Sequence, residues 1–269
     1  MNRNRSRIGI STAAFYPNHL TEDALVTIAD LGFRIVEIFL QAEAEYTVRF
    51  GAVLDHRRRE LGLDVHSLHL YSSYFDLWSP YPRTLQENRD RFLRVLEVGN
   101  MLDAEALTWH GLRYGLDDED LIAAFFESAG WAGEQAADAG IVLTLENVSW
   151  CYLRRPEHVR AIRRAGLPLG FTCDAFQARE SDVEPAEMVG AMGDKLVTVH
   201  LSDYSPDGPR HLPPGEGNVD WPALACALRD VGYMGPLILE TADVSNPSIF
   251  LEARAFVRRV WERAADVDG

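Results

Sequence analysis

Short apolar runs rich in Val, Ile, Leu and Thr alternate along the chain with longer stretches of mixed polarity, and they do so eight times. The runs predict strands over 7–12, 35–40, 64–70, 105–110, 141–146, 168–174, 195–201 and 236–241. Between them apolar positions recur at helical spacing. Over 84–102, Leu85, Phe92, Leu93, Leu96 and Val98 gather on one side while Glu87, Arg91 and Arg94 lie elsewhere. Residues 21–31 open at Thr21, an N-cap candidate, and stop at Gly32; residues 248–263 form a terminal helix. No Gly/Ser linker or block of charge divides the chain, so residues 1–269 read as one domain. Eight strand–helix alternations predict an α/β protein with a parallel (β/α)8 barrel, and a doubly wound open sheet is the competing arrangement. The length of 269 residues agrees with a barrel, which typically takes about 250.

A barrel of this kind carries its chemistry at the C-terminal ends of the strands, so those ends should be polar. Strand two carries Glu37. Strand three ends Ser67-Leu68-His69 and strand four Thr108-Trp109-His110. Strands five, six and seven end in Glu146, Asp174 and His200, and strand eight gives Ile238-Leu239-Glu240. Several carboxylates converging on one mouth repel each other unless a cation sits among them. A mixture of carboxylate and imidazole suits zinc, manganese, cobalt or iron better than calcium. A threonine stands two residues before the terminal group in four consecutive strands: Thr108, Thr144, Thr172 and Thr198. Alternation places these hydroxyls one layer beneath the ligands, although threonine is also simply a good strand residue.

The remaining chemistry-bearing residues read more plainly. His56 and His158 fall in helical stretches, as surface groups. His66 has the opposite parity to His69 and should face the helices. His19 lies in the loop after strand one. Lys195, the only lysine, falls at the start of strand seven, away from the chemistry, so a Schiff base is disfavoured. No phosphate-binding Gly-rich loop and no Gly-x-Ser-x-Gly elbow occur. Cys151, Cys173 and Cys226 are odd in number and lack Cys-x-x-Cys spacing, which points to a reducing, cytoplasmic setting without a disulfide framework. Ile8-Gly9-Ile10-Ser11-Thr12, after the N-terminal arginines, is too short and polar for a signal sequence. No run of about 18 apolar residues is present to span a membrane. A net charge of −15 argues against a nucleic-acid partner and for a small-molecule enzyme.

Three stretches carry a family resemblance: Leu143-Thr144-Leu145-Glu146-Asn147, Thr198-Val199-His200-Leu201-Ser202-Asp203, and the run Leu212-Pro213-Pro214-Gly215-Glu216-Gly217-Asn218-Val219-Asp220-Trp221 leading to Gly232-Tyr233-Met234-Gly235 and Glu240. With these the chain resembles, over nearly its whole length, the xylose isomerase-like TIM barrels. That family includes sugar phosphate isomerases and epimerases, ketose 3-epimerases, hydroxypyruvate isomerase and endonuclease IV-like enzymes. The resemblance implies a single-metal site of Glu146, Asp174, His200 and Glu240, with Glu146 and Glu240 doubling as the acid–base pair. It matches His69 and His110 to further ligands of the three-zinc endonuclease branch, and His211 to part of its third site. Two departures break that third site: Gln177 stands where the family often has histidine, and Pro209-Arg210-His211 replaces an Asp-x-His.

The function expected is that of a metal-dependent isomerase or epimerase of a small polyhydroxy carbonyl compound. One divalent ion (Mn2+, Zn2+, Co2+ or Mg2+) would polarise the carbonyl, and His69 and His110 are candidates to hold a second. Glu146 or Glu240 would remove the proton next to the carbonyl, giving an enediolate, and the other would return it. His69, His110, Gln177 and His211 are expected to bind substrate, with Arg210 on a carboxylate or phosphate. The aromatics Phe15, Tyr71, Trp78, Trp109, Trp150 and Tyr204 are expected to wall the mouth, Trp109 among the substrate contacts. The same site could serve a dehydratase or aldolase. A phosphodiesterase of the endonuclease type and a non-catalytic sugar-binding barrel are the alternatives from other classes. Assembly as a homo-oligomer is compatible with all of these.

Overall fold

The computed structural model describes residues 7–113, 116–242 and 246–266; the expected strands all fall within them, whereas Arg3 and Arg5 of the N-terminal arginines lie outside. Eight parallel strands close on themselves in sequence order: β1 (Ile8–Ser11), β2 (Ile35–Leu40), β3 (Asp64–Leu70), β4 (Ala106–Trp109), β5 (Val142–Glu146), β6 (Gly170–Asp174), β7 (Leu196–Leu201) and β8 (Leu237–Leu239). The ring closes through Ile8, Gly9 and Ile10 of β1 beside Leu237, Ile238 and Leu239 of β8. The open-sheet alternative is thereby excluded. Among the described residues no helix is long and apolar enough to cross a membrane.

Several of the helices start where local chemistry dictates. The helices are α1 (Thr21–Asp30), α2 (Val48–Leu61), α3 (Pro82–Met101), α4 (Glu119–Asp138), α5 (Pro156–Arg164), α6 (Ala175–Glu180), α7 (Pro185–Met192), α8 (Trp221–Asp230) and α9 (Ile249–Asp266). Side chains of Thr47, Asp118, Asp174 and Asp220 accept the free backbone N–H groups at the starts of α2, α4, α6 and α8. Thr21 is not a cap: it is the first residue of α1, and its hydroxyl donates to Glu45 at 3.1 Å. Gly133 lets α4 approach the turn before β6, since a Cβ there would lie 2.6 Å from the Pro168 carbonyl oxygen.

The apolar core lies between strands and helices. Val36, Ile38, Leu143, Leu145, Val199 and Leu201 are buried outside the ring. The interior is polar, unlike the branched aliphatic layers usual in such barrels. Thr144 Oγ1 lies 2.8 Å from Thr172 Oγ1, and Thr108 Oγ1 lies 3.3 Å from the same atom. These three expected hydroxyls therefore form one connected layer. Thr198 instead meets His66 Nε2 at 3.1 Å across the barrel.

That contact corrects the expected orientation of His66. The β2–β3 register runs Val36↔Val65 and then Glu37↔Ser67, so β3 carries one extra residue at His66. A bulge of this kind breaks the two-residue alternation. It lets His66 and Ser67 both point inward, with His66 Nδ1 3.1 Å from Glu105.

Candidate active site

The barrel places the C-terminal ends of β3 to β8 around one cavity of about 200 Å³. Phe39, His69, His110, Glu146, Asp174, Gln177, His211 and Glu240 line it. Asp174 and His200 are direct cross-strand partners, and the backbone N–H of Glu240 donates to Leu201 O, so the three groups from β6, β7 and β8 stand side by side. One donor atom each from Glu146, Asp174, His200 and Glu240 lie within 4.8 Å of one another. His200 Nδ1 is 2.9 Å from Glu240 Oε2, 3.1 Å from Glu146 Oε1 and 4.0 Å from Asp174 Oδ2.

The carboxylates differ in how they are held. Asp174 spends Oδ1 on the start of α6, accepting from Gln177 N at 2.6 Å, while its backbone is pinned to the Asn147 side chain at 2.8 and 2.9 Å. Its Oδ2 is buried with no hydrogen-bond partner. Burial and the neighbouring Glu146 and Glu240 carboxylates push Asp174 well above the usual range. Glu146 is equally buried, but the His200 and His110 imidazoles outweigh that burial and hold it well below. His200 is driven well above the ordinary histidine value: burial opposes this, and Glu37, Glu240 and Glu146 prevail. An orphaned carboxylate oxygen beside two further carboxylates and an imidazole nitrogen fits a divalent cation by donor chemistry.

A second cluster adjoins the first. Glu146 Oε2 lies 3.0 Å from His69 Nε2 and 2.9 Å from His110 Nε2, and the two nitrogens are 3.3 Å apart. His69 Nδ1 is turned to the Leu70 carbonyl at 3.1 Å, and His110 Nδ1 to the Ser72 hydroxyl. Both rings thus aim Nε2 at the same carboxylate oxygen. Phe39 stacks on His69 with centroids 4.1 Å apart, and Trp150 meets His110 edge-on at 5.4 Å. On the other wall His211 takes a left-handed backbone (φ 52°), stacks on Phe176 at 4.0 Å and engages Ser202 Oγ through Nδ1 at 3.0 Å. Gln177 Oε1 accepts from Ser149 N at 3.0 Å.

Two expected substrate contacts are not brought to the site. Trp109 is 1% exposed and packs against Trp78 and Phe125 in the layer under the helices. It follows Thr108, which faces inward, so strand alternation turns it outward. Arg210 is spanned by both oxygens of Glu180, at 3.0 and 2.8 Å, and lies over the Phe176 ring. Its guanidinium fork already holds a carboxylate and does not line the cavity. Lys195 is exposed in the turn just before β7, one residue ahead of the expected strand start and, as expected, away from the cavity.

Glu37 of β2 is not among the expected site residues. Its carboxylate is fully buried beneath the cluster and meets His200 Nε2 at 3.0 Å. Burial pushes Glu37 up, but the charge and hydrogen bond of His200 pull it to about 2. The available signal was a lone acid inside the apolar run Ile35-Val36-Glu37-Ile38-Phe39-Leu40. The Gly-x-Gly and Asp-Trp motif is structural. Asp203 Oδ1 accepts from Tyr204 N and Val219 N at 2.9 and 3.0 Å, and Oδ2 from Gly215 N and Trp221 Nε1 at 2.8 and 2.9 Å. A Cβ at Gly217 would lie 2.5 Å from Asp203 Oδ1. The motif ties down the loop that presents His211.

Comparison with known proteins agrees with the fold. A family model described as xylose isomerase-like TIM barrel matches residues 25–260. The 3-dehydroshikimate dehydratase of Pseudomonas putida is 26% identical over 232 residues, covering 81% of this chain and 35% of that protein. The D-psicose 3-epimerase of Enterocloster bolteae is 28% identical over 98 residues, covering 35% of this chain and 31% of that protein. The chain thus spans about a third of the length of the curated relatives it matches. A solved structure described as a D-tagatose 3-epimerase-like protein superposes with a TM-score of 0.83 at 21% identity, covering 98% of this chain and 100% of that one.

Proposed function

This chain belongs to the xylose isomerase-like TIM barrel family, and from that premise we propose that it is a metal-dependent isomerase or epimerase acting on a small sugar, free or phosphorylated. The observation that carries this reading is the convergence of Glu146, Asp174, His200 and Glu240 with a partnerless, buried Asp174 Oδ2. A divalent cation such as Mn2+, Zn2+, Co2+ or Mg2+ held by these four would supply Lewis-acid polarisation of a substrate carbonyl.

The chain's own groups would then move the proton. Glu240 is the more open of the two glutamates and lines the cavity. Glu146 lies across His200 from it, fixed by His69 and His110. One takes the proton from the carbon beside the carbonyl, and the other delivers a proton to the neighbouring carbon or the opposite face. Gln177 and His211 line the wall from which substrate hydroxyls can be held, His211 through Nε2, since Nδ1 is engaged by Ser202. His69 and His110, both aimed at Glu146 Oε2, serve a substrate oxygen or a second ion.

The test is metal analysis of protein purified without added metal, followed by exchange of solvent deuterium into a panel of ketoses. Exchange that requires the metal supports the reading; a cavity that takes up neither manganese nor zinc overturns it. The 26% identity to a dehydratase favours a lyase as the second reading. It is separated by loss of water to an ultraviolet-absorbing unsaturated product, without return of deuterium to substrate. Cleavage of abasic DNA would instead assign a phosphodiesterase.

A further inference from the structure

Glu37 is a fully buried acid that the proposed proton transfers do not use. Its Oε2 collects the hydrogen bonds of the side chain: from Ser67 Oγ at 2.7 Å, from Thr108 Oγ1 at 3.4 Å and with His200 Nε2 at 3.0 Å. Thr108 is joined in turn to the hydroxyl layer of Thr172 and Thr144. Oε2 already accepts from the Ser67 and Thr108 hydroxyls, so it meets the imidazole as an acceptor too, and the His200 proton belongs on Nε2. The opposite ring nitrogen, Nδ1, faces Glu146, Glu240 and Asp174. Turning the ring over would take Nε2 off Glu37 and swing a carbon into the place of Nδ1. The ring is wholly buried, so the displaced N–H would have no water to meet.

We propose that Glu37 is a positioning residue: it fixes the tautomer and plane of His200 from below, so that Nδ1 is the nitrogen offered to the cation. Ser67 and the threonine layer hold Glu37 itself in place. The inference rests on reading the cluster as a metal centre, and groups that orient a ligating histidine typically contribute about 10–100-fold to metal affinity.

The test uses the full chain and zinc alone, which is diamagnetic. In the zinc-loaded protein, imidazole nitrogen NMR should find the His200 proton on Nε2. Glu37→Leu removes the acceptor and should weaken zinc binding by about 10–100-fold and change the His200 signals. Glu37→Gln keeps a carbonyl oxygen and should lose less. Ser67→Ala, at the same depth, leaves the Glu37–His200 contact and removes only a support of Glu37, so its zinc loss should be smaller than that of Glu37→Gln. Thermal melts establish that each variant is folded; if Glu37→Leu is not, the comparison of Glu37→Gln with Ser67→Ala decides, and a larger zinc loss in Ser67→Ala overturns the proposal. A His200 proton on Nδ1, or a folded Glu37→Leu that binds zinc as wild type does, overturns it as well. Failure of wild type to bind zinc removes the metal centre first, a result that no Glu37 variant can mimic.

Discussion

Asp203 offers a direct test of whether the family motif builds the site or takes part in it. Its two oxygens accept four donors, of which Val219 N and Trp221 Nε1 are buried. Asp203→Ala strips all four and leaves the two buried ones without water. A buried donor left unpaired costs about 1–3 kcal/mol, so the loss should be about 2–6 kcal/mol. At about 2–4 °C per kcal/mol for a domain approaching this size, the melting temperature should fall by roughly 5–20 °C. Asp203→Asn keeps one accepting oxygen and turns the other position into a donor facing donors, so it should be destabilised nearly as much despite its matching shape. The assay is thermal and urea unfolding followed by circular dichroism, with manganese affinity measured on the folded protein by calorimetry. Asp203 touches none of the proposed ligands, so manganese affinity should hold. A melting temperature unchanged in Asp203→Ala would refute the four-bond account. Lost metal binding at full stability would make Asp203 part of the metal centre instead.

Other consequences can be checked separately. Glu146→Gln and Glu240→Gln should each lose about 10²–10⁴-fold in deuterium exchange even at saturating metal, whereas much of the Asp174→Asn loss should return with excess metal; full recovery of all three would leave the glutamates as ligands only. Lys195→Met should leave turnover intact and borohydride should trap no adduct, because Lys195 is exposed at the far end of the barrel. In metal-free protein, folded His200 binds its proton more tightly than the unfolded chain, whose value is near 6.5. Its contribution is therefore complete below pH 6.5 and is lost as pH rises through the raised folded value, and Asp174, also raised, acts in the same direction from its ordinary 3.8 upward. The melting temperature of chelator-treated protein should accordingly fall as pH rises above 6.5, and bound metal should abolish that fall. Calorimetry across pH with and without manganese would show it, and a metal-free protein whose stability rises over that range would contradict the assignment.

The alternation of apolar runs and helical stretches determined the eight strand–helix units, because the two-residue and 3.6-residue periods are local properties of the chain, while the pairing of β1 with β8 chose the barrel over the open sheet. The alternation also marked the mouth: a polar group ending an apolar strand must lie at the end where the loops can admit water or an ion. Hence Glu146, Asp174, His200 and Glu240 were legible one strand at a time, as was the hydroxyl layer formed by Thr108, Thr144 and Thr172. What the sequence could not fix was anything that depends on register between strands or on which polar group meets which. One extra residue in β3 turned His66 inward against its parity. Glu180, 30 positions away in sequence, spans the Arg210 guanidinium outside the cavity lining. Trp109, one of the aromatics expected to wall the mouth, follows the inward Thr108 on its strand, faces the opposite side and packs under the helices. Glu37 looked like a stray acid in an apolar strand until ring closure brought β2 and β7 face to face across the interior, 163 residues apart in the chain. Local periodicity decides which side of its own element a residue occupies; only the closed barrel decides what it finds there.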